Sequence, residues 1–259
     1  MKIIVCVKQT LDTAAKVEIK DGSVHAPGAA RIMNPYDEFA VEEAKLIKDR
    51  HPETEILAIS IGPNAEVLKS ALAMGADRAL HLCDPLFDSL EGLGIAHVLS
   101  KAIERESYDL ILCGRQAVDW DRAQAGPALA VFLGIPCVSV VTRLEFSEDY
   151  KRATATRQIE GGSEILECPL PLLLTCQKGL NLPRLPSLKG IMAAKKKTVE
   201  VLTAADLQLA SDFSQGFHFA SAAELALPPA HESAHMVQGE AADQARELVA
   251  LLRNKEKVV

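Results

Sequence analysis

The chain has 259 residues, of which 48% are apolar and 24% charged, which fits one large globular α/β domain or one domain with an appended arm. Its net charge of −7 argues against the basic surface that nucleic-acid binding requires, and the short run Lys195–Lys197 is typical of a solvated helix or loop end. Because no apolar run approaches the roughly 18 residues needed to cross a bilayer, we expect no direct membrane insertion.

The N-terminus and the cysteines indicate a reducing compartment. Met1–Val7 is a short apolar run without a small-residue cleavage site, which indicates a first strand and not a signal peptide. The six cysteines are Cys6, Cys83, Cys113, Cys137, Cys168 and Cys176. None has the spacing of a zinc, iron–sulfur or C-x-x-C site, so we interpret them as small buried side chains of a cytoplasmic or matrix-like protein. His231 and His235 lack a further ligand nearby, and no metal site is predicted.

The first half of the chain alternates predicted strands and helices. Strands buried on both faces are predicted at Ile3–Val7, Ile56–Ile61, Ala79–Leu82 and Leu110–Cys113. Helices are predicted from Asn34-Pro35, from Pro63-Asn64 to Gly75, from Gly94 to Arg105, and from the loop after Cys113 to Gly134. Asn34 is the expected cap of the first helix, and Pro35 suits its first position. This alternation predicts a doubly wound parallel sheet.

The second half changes pattern after Pro136. Short strands joined by tight turns are predicted at Val138–Leu144, Ala153–Ile159 and Ser163–Cys168, which indicates an antiparallel meander on the sheet edge. A further buried strand is predicted at Pro171–Thr175, and residues 177–197 are predicted to be an irregular loop.

The C-terminal region lacks a core of its own. Its apolar residues are scattered until a final helix near Glu240–Arg253, which carries Ala245, Leu248, Val249 and Leu252 on one face. We therefore expect an α/β domain at residues 1–200, including the loop 177–197, and an extended arm at 201–259 that lies on another surface. Disorder of the arm is the alternative.

Four segments follow predicted strands or open predicted helices at the edge of the sheet where ligands of parallel sheets bind. They are Cys6–Lys8, Asn34–Asp37, Ile61–Pro63 and the loop after Cys113. In that loop, Gly114 permits close backbone approach, while Arg115, Arg122 and Gln124 can add donors to a helix N-terminus suited to phosphate.

The alternative for the same loop is a polar turn before a capped helix. Asp119 and Asp121 are unusual beside a phosphate, and we interpret them as caps of the helix or as groups that orient donors. No G-x-G-x-x-G, phosphate-loop lysine motif or nucleophile–base pair is present, so the sequence predicts a binding site without a catalytic residue set.

Five ordered motifs carry a resemblance to a known family. They are Val7-Lys8-Gln9, the run Asn34–Ala44, the run Ala71–Arg78, Gly114-Arg115-Gln116-Ala117, and Leu182–Leu188 followed by Ile191-Met192 and the lysine run. Over nearly its whole length up to about Leu202, the chain resembles beta subunits of electron transfer flavoproteins, and beyond that it does so only in general character.

The resemblance implies a cofactor, two partners and their contact residues. Members pair with a larger alpha subunit that carries an electron-shuttling FAD, and the small subunit holds an adenine nucleotide. The residues that match the family's nucleotide contacts are Cys6, Asn34, Pro35, Tyr36, Asp37, Ile61, Gly114, Arg115, Gln116, Ala117, Val118, Asp119, Trp120, Asp121, Arg122, Ala123, Gln124 and Ala125. The loop that binds a dehydrogenase in the family is matched by Arg184, Leu185, Leu188, Ile191 and Met192. Leu188 matches its anchoring leucine, unless that side chain packs beneath its own loop.

The family divides by whether the small subunit holds AMP or a second FAD. The Ala123–Pro127 ending of the loop and the run Lys189–Lys195 resemble the FAD branch, whereas Trp120 and Arg122 replace the small glycine and the threonine common there. The sequence thus favours an electron-carrier subunit with FAD, with structural AMP as the alternative. NADH oxidation at this site is not established by these residues. A stand-alone ATP-binding or ATP-cleaving module is a further alternative, but Val7–Thr10 lacks the Ser-Gly-Gly loop expected there.

Overall fold

The computed structural model describes residues 1–88, 90–210, 213–217, 224–229, 234 and 236–258. The chain divides into two compact units. The first comprises Met1–Val17 and Ala26–Ala223, and the second comprises Glu18–His25 and Glu224–Val259.

The elements of the described residues follow in chain order. The strands are β1 Lys2–Cys6, β2 Gln9–Leu11, β3 Glu18–Lys20, β4 Ser23–His25, β5 Arg31–Met33, β6 Glu55–Ile61, β7 Arg78–Leu82, β8 Leu110–Gly114, β9 Cys137–Phe146, β10 Arg152–Ile159, β11 Gly162–Pro169, β12 Leu172–Cys176 and β13 Glu200–Leu202. The helices are α1 Pro35–Arg50, α2 Glu66–Met74, α3 Gly92–Ile103, α4 Ala125–Leu133, α5 Leu188–Ala194 and α6 Ala241–Asn254.

A nine-stranded sheet organises the first unit, in the order β11-β10-β9-β12-β8-β1-β6-β7-β13. The neighbouring strands β9, β12, β8, β1, β6, β7 and β13 pair in parallel. At the β9 edge, β9, β10 and β11 form an antiparallel meander. The predicted parallel α/β sheet with an edge meander is therefore confirmed.

Two apolar cores lie on opposite faces of this sheet. On one face, Ala40, Val41 and Ala44 of α1 lie in a cluster with Leu68 and Ala71 of α2. On the other face, the buried residues of α3 and α4 form a second cluster with side chains of β6, β7 and β8. The central strands are buried on both faces, which explains their continuous apolar sequences.

Residues 188–194 form a helix, so the prediction of an irregular loop over residues 177–197 is wrong for this stretch. Ser187 caps this helix by accepting a hydrogen bond from the Gly190 N–H at 3.0 Å. Gly190 faces the Ala73 carbonyl of α2 so closely that a Cβ at position 190 would collide with it. The helix forms because tertiary contact with α2 supplements a local sequence of only seven helical residues.

The second unit contains the β3–β4 hairpin and α6. The predicted final helix is confirmed, since α6 begins after Glu240 and ends at Asn254. None of its residues is buried, although Leu248 and Val249 are large apolar side chains. His231 and His235 lie outside the described residues.

Three features bear on the classes of site the chain can hold. No helix of the described residues is both long and apolar enough to cross a membrane. The described part of the chain contains no cluster of three or more His, Cys, Asp or Glu residues that could hold a metal ion. All six cysteines are free.

Candidate functional site

The strand order changes direction between β1 and β8, which makes their carboxyl ends the expected ligand crevice. Cys6 at the end of β1 pairs in register with Cys113 of β8 and with Ile59 of β6. Ile61 ends β6, and Gly114 ends β8. The strand ends and the start of α1 therefore bring the predicted segments around Cys6, Asn34, Ile61 and Gly114 to one edge of the sheet.

Asn34 ties the start of α1 to the loop after β8. Its Nδ2 donates to Asp37 Oδ1 at 2.9 Å and to the Gln116 carbonyl at 2.8 Å, while its Oδ1 accepts from the Val118 N–H at 3.1 Å. Asn34 occupies the predicted cap position, with Pro35 beginning the helix, but its side chain makes no capping bond. The predicted capping contact is wrong because this amide joins two distant loop segments instead.

Asp37 is a buried carboxyl that joins three segments. Its Oδ2 accepts the Lys8 N–H at 2.7 Å, and the backbone N–H of Gly114 also donates to it. Burial raises the pKa of Asp37 to about 7, although hydrogen bonds from Asn34, Lys8 and Gly114 oppose this shift. A Cβ on Gly114 would collide with the Asp37 carboxylate and with the backbone of Tyr36 and Asp37, so only glycine permits this approach.

The loop from Arg115 to Gln124 is held by polar contacts. Lys8 Nζ reaches both carboxylate oxygens of Asp119 at 2.7 and 2.8 Å, and Gln116 donates to Asp121. The helix-capping interpretation of Asp119 and Asp121 is therefore wrong, since α4 follows Gln124, which makes no side-chain cap bond. The alternative interpretation fits, because each carboxylate holds a donor, namely Lys8 or Gln116.

Trp120 and Arg122 lie together in the outer part of this loop. Arg122 Nη1 donates to Glu91 Oε2 at 2.7 Å, and the Arg122 guanidinium lies 5.1 Å from the centre of the Trp120 ring. Trp120 is 57% exposed. Glu91 immediately precedes α3, so this ion pair connects the loop to a different helix start.

Two glycines, Gly126 and Gly92, allow the start of α4 to pack closely against β12 and the start of α3. A Cβ on Gly126 would come within 2.9 Å of Thr175 Cγ2 in β12, and one on Gly92 of α3 would come within 2.9 Å of Gln124 Oε1. Gly126 thus serves the packing of α4 against the sheet, while Gly92 lets the starts of α3 and α4 meet. Ala125 is half-buried at the entrance of α4.

The charges along this edge largely neutralise one another. Lys8 is paired with Asp119 and Arg122 with Glu91, whereas the Arg115 guanidinium has no hydrogen bond or ion pair with a described residue. In the first turn of α4, the N–H groups of Ala125 and Gly126 lack helical partners, whereas Pro127 has no N–H and the Ala128 N–H donates to the Gln124 carbonyl. These two N–H groups and the Arg115 side chain are the candidate donors for a phosphate.

A second candidate surface is the segment 181–192, which is anchored to two helices. Arg184 donates to the buried Glu42 of α1 at 2.8 to 3.0 Å and pairs with Asp49 at 3.0 Å. Asn181 donates to Glu43 Oε2 at 2.9 Å. Burial raises the pKa of the Glu43 carboxyl, which the hydrogen bond from Asn181 opposes. Together with the seat of α5 on α2, these contacts fix the segment at both ends.

The anchored segment presents apolar side chains outward. Leu185 is 91% exposed and Leu188 is 82% exposed, so the alternative in which Leu188 packs beneath its own loop is wrong. Leu182 and Met192 are also exposed, and Ile191 is exposed to a smaller extent. Of the predicted contact residues, Arg184 holds the segment in place while the others face outward. No local pattern predicts the supporting role of Glu42, since a glutamate on a helix is ordinarily exposed, whereas this one is buried.

Comparison with known proteins gives one family. The sequence model of the "Electron transfer flavoprotein domain" family matches residues 22–207. An electron transfer flavoprotein subunit beta of Bacillus subtilis (strain 168) is 42% identical over 263 residues, covering 100% of both chains. The corresponding subunit of Bos taurus is 39% identical over 213 residues, covering 80% of this chain and 83% of the relative. The Caffeyl-CoA reductase-Etf complex subunit CarD of Acetobacterium woodii is 37% identical over 267 residues, covering 98% of this chain and 99% of the relative.

The buried Asp37 carboxyl predicts a pH-dependent stability. Its folded pKa of about 7 lies above its ordinary value of 3.8, so between these pH values the folded state binds more protons than the unfolded state. The free energy of unfolding should therefore lose a contribution as the pH rises from about 4 to about 7. Asp37→Asn removes this contribution. In urea unfolding, the free energy of unfolding of the parent should therefore fall relative to that of the variant between pH 5 and pH 8.

Asp109→Asn is the matched control for this experiment. Asp109 also accepts a backbone N–H at 2.7 Å, from Lys2, but it is exposed. An equal change with pH for both variants would contradict the role of burial at Asp37.

Proposed function

The chain belongs to the electron transfer flavoprotein beta subunit family, and we propose that it works as the small subunit of a heterodimer that accepts electrons from dehydrogenases and passes them to a redox partner. The observation that carries this proposal is full-length similarity to a named beta subunit, combined with the polar side chains that converge at the switch point of the sheet. The larger partner is an alpha subunit, and family membership argues against a stand-alone ATP-cleaving module. We also propose a cytoplasmic location, which six free cysteines support.

The crevice is proposed to hold an adenine nucleotide, with FAD as the first candidate. The proposed contact residues are Cys6, Asn34–Asp37, Ile61 and Gly114–Ala125. Arg115 and the first-turn N–H groups of α4 would meet phosphate, since they form the donor set described above. Asn34 and Asp37 would act by holding the loop ends in place. When bound, a flavin supplies the electron-carrying chemistry, and the protein supplies binding and orientation.

The choice of FAD rests on the entrance to α4. Ala125 is small, which leaves room beside the first phosphate for a second half of the ligand. AMP is the second candidate because Trp120 and Arg122 stand where the FAD branch commonly has a small glycine and a threonine.

The nucleotide content of the purified complex tests this choice. We expect the intact heterodimer to release two FAD molecules on acid extraction, one of them from this chain. Chromatography of the extract identifies and counts them. One FAD and one AMP per heterodimer would contradict FAD in this chain and leave the subunit assignment intact, whereas a colourless complex without nucleotide would overturn the proposed function.

The exposed leucines of residues 182–188 are proposed to bind a dehydrogenase, with Leu188 as the anchor. Burial of one leucine at an interface is worth roughly 1.5–3 kcal/mol, or about tenfold to a hundredfold in affinity. Leu188→Ala should therefore reduce electron transfer from the cognate dehydrogenase at limiting concentrations by about tenfold or more, with flavin content unchanged.

Val131→Ala is the control for this variant. Val131 is a similarly exposed apolar side chain, at 80%, but it lies on α4 and outside the segment. Equal transfer rates for the parent and Leu188→Ala would remove Leu188 from the contact surface.

Within the predicted arm at residues 201–259, α6 is proposed to dock on the alpha subunit, whereas Leu202, Ala204 and Leu207 at the start of the arm are buried in the core of the first unit. The support is its amphipathic sequence: α6 has no buried residue, yet Leu248 and Val249 are exposed and apolar. Amide hydrogen exchange of residues 241–254 should slow by about tenfold or more when the alpha subunit binds, while exchange in β8 stays unchanged. Exchange of α6 that is equally fast in the complex and in the isolated chain would refute docking of this helix.

A further inference from the structure

The edge of the sheet carries three cations and three carboxylates in the immediate surroundings of the loop after β8. The cations are Lys8, Arg115 and Arg122, and the carboxylates are Glu91, Asp119 and Asp121. Of these cations, only Arg115 has no hydrogen bond or ion pair with a described residue. Arg115 can therefore bind one phosphate group without breaking an existing ion pair. A diphosphate carries more charge and extends further, so a second cation within its reach would strengthen its binding.

Arg122 is better suited than Lys8 to become that second cation. The Lys8 ammonium contacts both oxygens of Asp119, and its backbone N–H is held by Asp37. Arg122 instead makes a single hydrogen bond to Glu91, which lies on another element, at the start of α3. Its planar guanidinium can also meet two phosphate oxygens at once.

The backbone on both sides of Arg122 lies in the left-handed region. Asp121 has a φ of 54° and Ala123 a φ of 52°; aspartate tolerates this region, but it is unfavourable for alanine. The conformation that seats Arg122 on Glu91 is thus maintained against local strain at Ala123. The Arg122 guanidinium also lies 5.1 Å from the centre of the Trp120 ring, so Arg122 contacts both Glu91 and Trp120.

We propose that Glu91, Trp120 and Arg122 form a latch that selects nucleotides with a diphosphate over those with a monophosphate. In the closed state, Arg122 is neutralised by Glu91. A diphosphate draws Arg122 away from Glu91 and moves the loop, whereas a monophosphate is held by Arg115 and the start of α4 and leaves the latch closed. This inference rests on the proposed nucleotide site and assigns the residues that determine which nucleotide the site accepts.

The first experiment titrates AMP, ADP and FAD, with calorimetric detection, into a heterodimer that is depleted of nucleotide in this chain but retains the FAD of the alpha subunit. Arg122→Gln should weaken ADP and FAD binding by about tenfold, the value of one charge-assisted hydrogen bond, and change AMP affinity by less than about twofold. Glu91→Gln should strengthen ADP binding, because Arg122 no longer has a competing carboxylate. Glu145→Gln is the control, since Glu145 forms a comparable 2.6 Å ion pair with Arg143 on β9 and lies beside His51 at the far end of α1.

The second experiment follows the loop directly. Trp120 is the only tryptophan of the chain, so subtracting the emission of the Trp120→Phe heterodimer isolates its signal even when the partner contributes tryptophans. ADP should change the emission of Trp120, and AMP at saturation should leave it nearly unchanged.

The outcomes separate the latch from the proposed function. If the parent heterodimer binds none of the three nucleotides, the proposed nucleotide site falls, and the latch falls with it. If nucleotides bind, but Arg122→Gln lowers the affinities for AMP and ADP equally or ADP leaves the Trp120 emission unchanged, the latch is wrong and the nucleotide site stands.

Discussion

The buried carboxyl of Asp37 is the contact on which the candidate site depends. It receives backbone N–H groups from Lys8 after β1 and from Gly114 at the end of β8, and it lies in the first turn of α1. These three segments are distant in sequence, and a buried carboxyl would be costly without such donors. Gly114 completes the arrangement because any side chain there would occupy the position of the carboxylate. The approach of the start of α1 to the ends of β1 and β8 is therefore held by one acidic residue and permitted by one glycine.

The electrostatics of the neighbouring loop reflect a compromise between binding an anion and remaining folded without one. Several unpaired cations at one edge would repel each other. Asp119 of this loop and Glu91 before α3 reduce this repulsion by pairing with Lys8 and Arg122. The same pairs would reduce the attraction for a phosphate, so the proposed site relies on Arg115 and the start of α4. Acidic residues are thus compatible with the proposed phosphate site, since they hold Lys8 and Arg122 in position.

A similar division of labour shapes the segment 181–192. Arg184 and Asn181 satisfy acidic side chains of α1, and the absence of a side chain at Gly190 lets α5 approach α2. These inward contacts compensate for the exposure of Leu185 and Leu188, which gain nothing from burial within this chain. Because the segment is already held rigidly, less conformational entropy is lost when its exposed apolar residues bind a partner.

The sequence by itself determined the strands, the main helices and the edge of the sheet where polar residues converge, because burial on both faces leaves a continuous apolar run and a helix leaves its period. The strands β2, β3, β4, β5 and β13 escaped prediction, since three residues each are too few to show a pattern. Only the tertiary structure decided which groups meet. Asn34 occupies a cap position but bonds to Gln116 and Val118, Asp119 pairs with Lys8, and the helix at 188–194 forms against α2. These choices rest on contacts between residues that are distant in the chain, such as Lys8 with Asp119 and Ala73 with Gly190, and no local pattern encodes them.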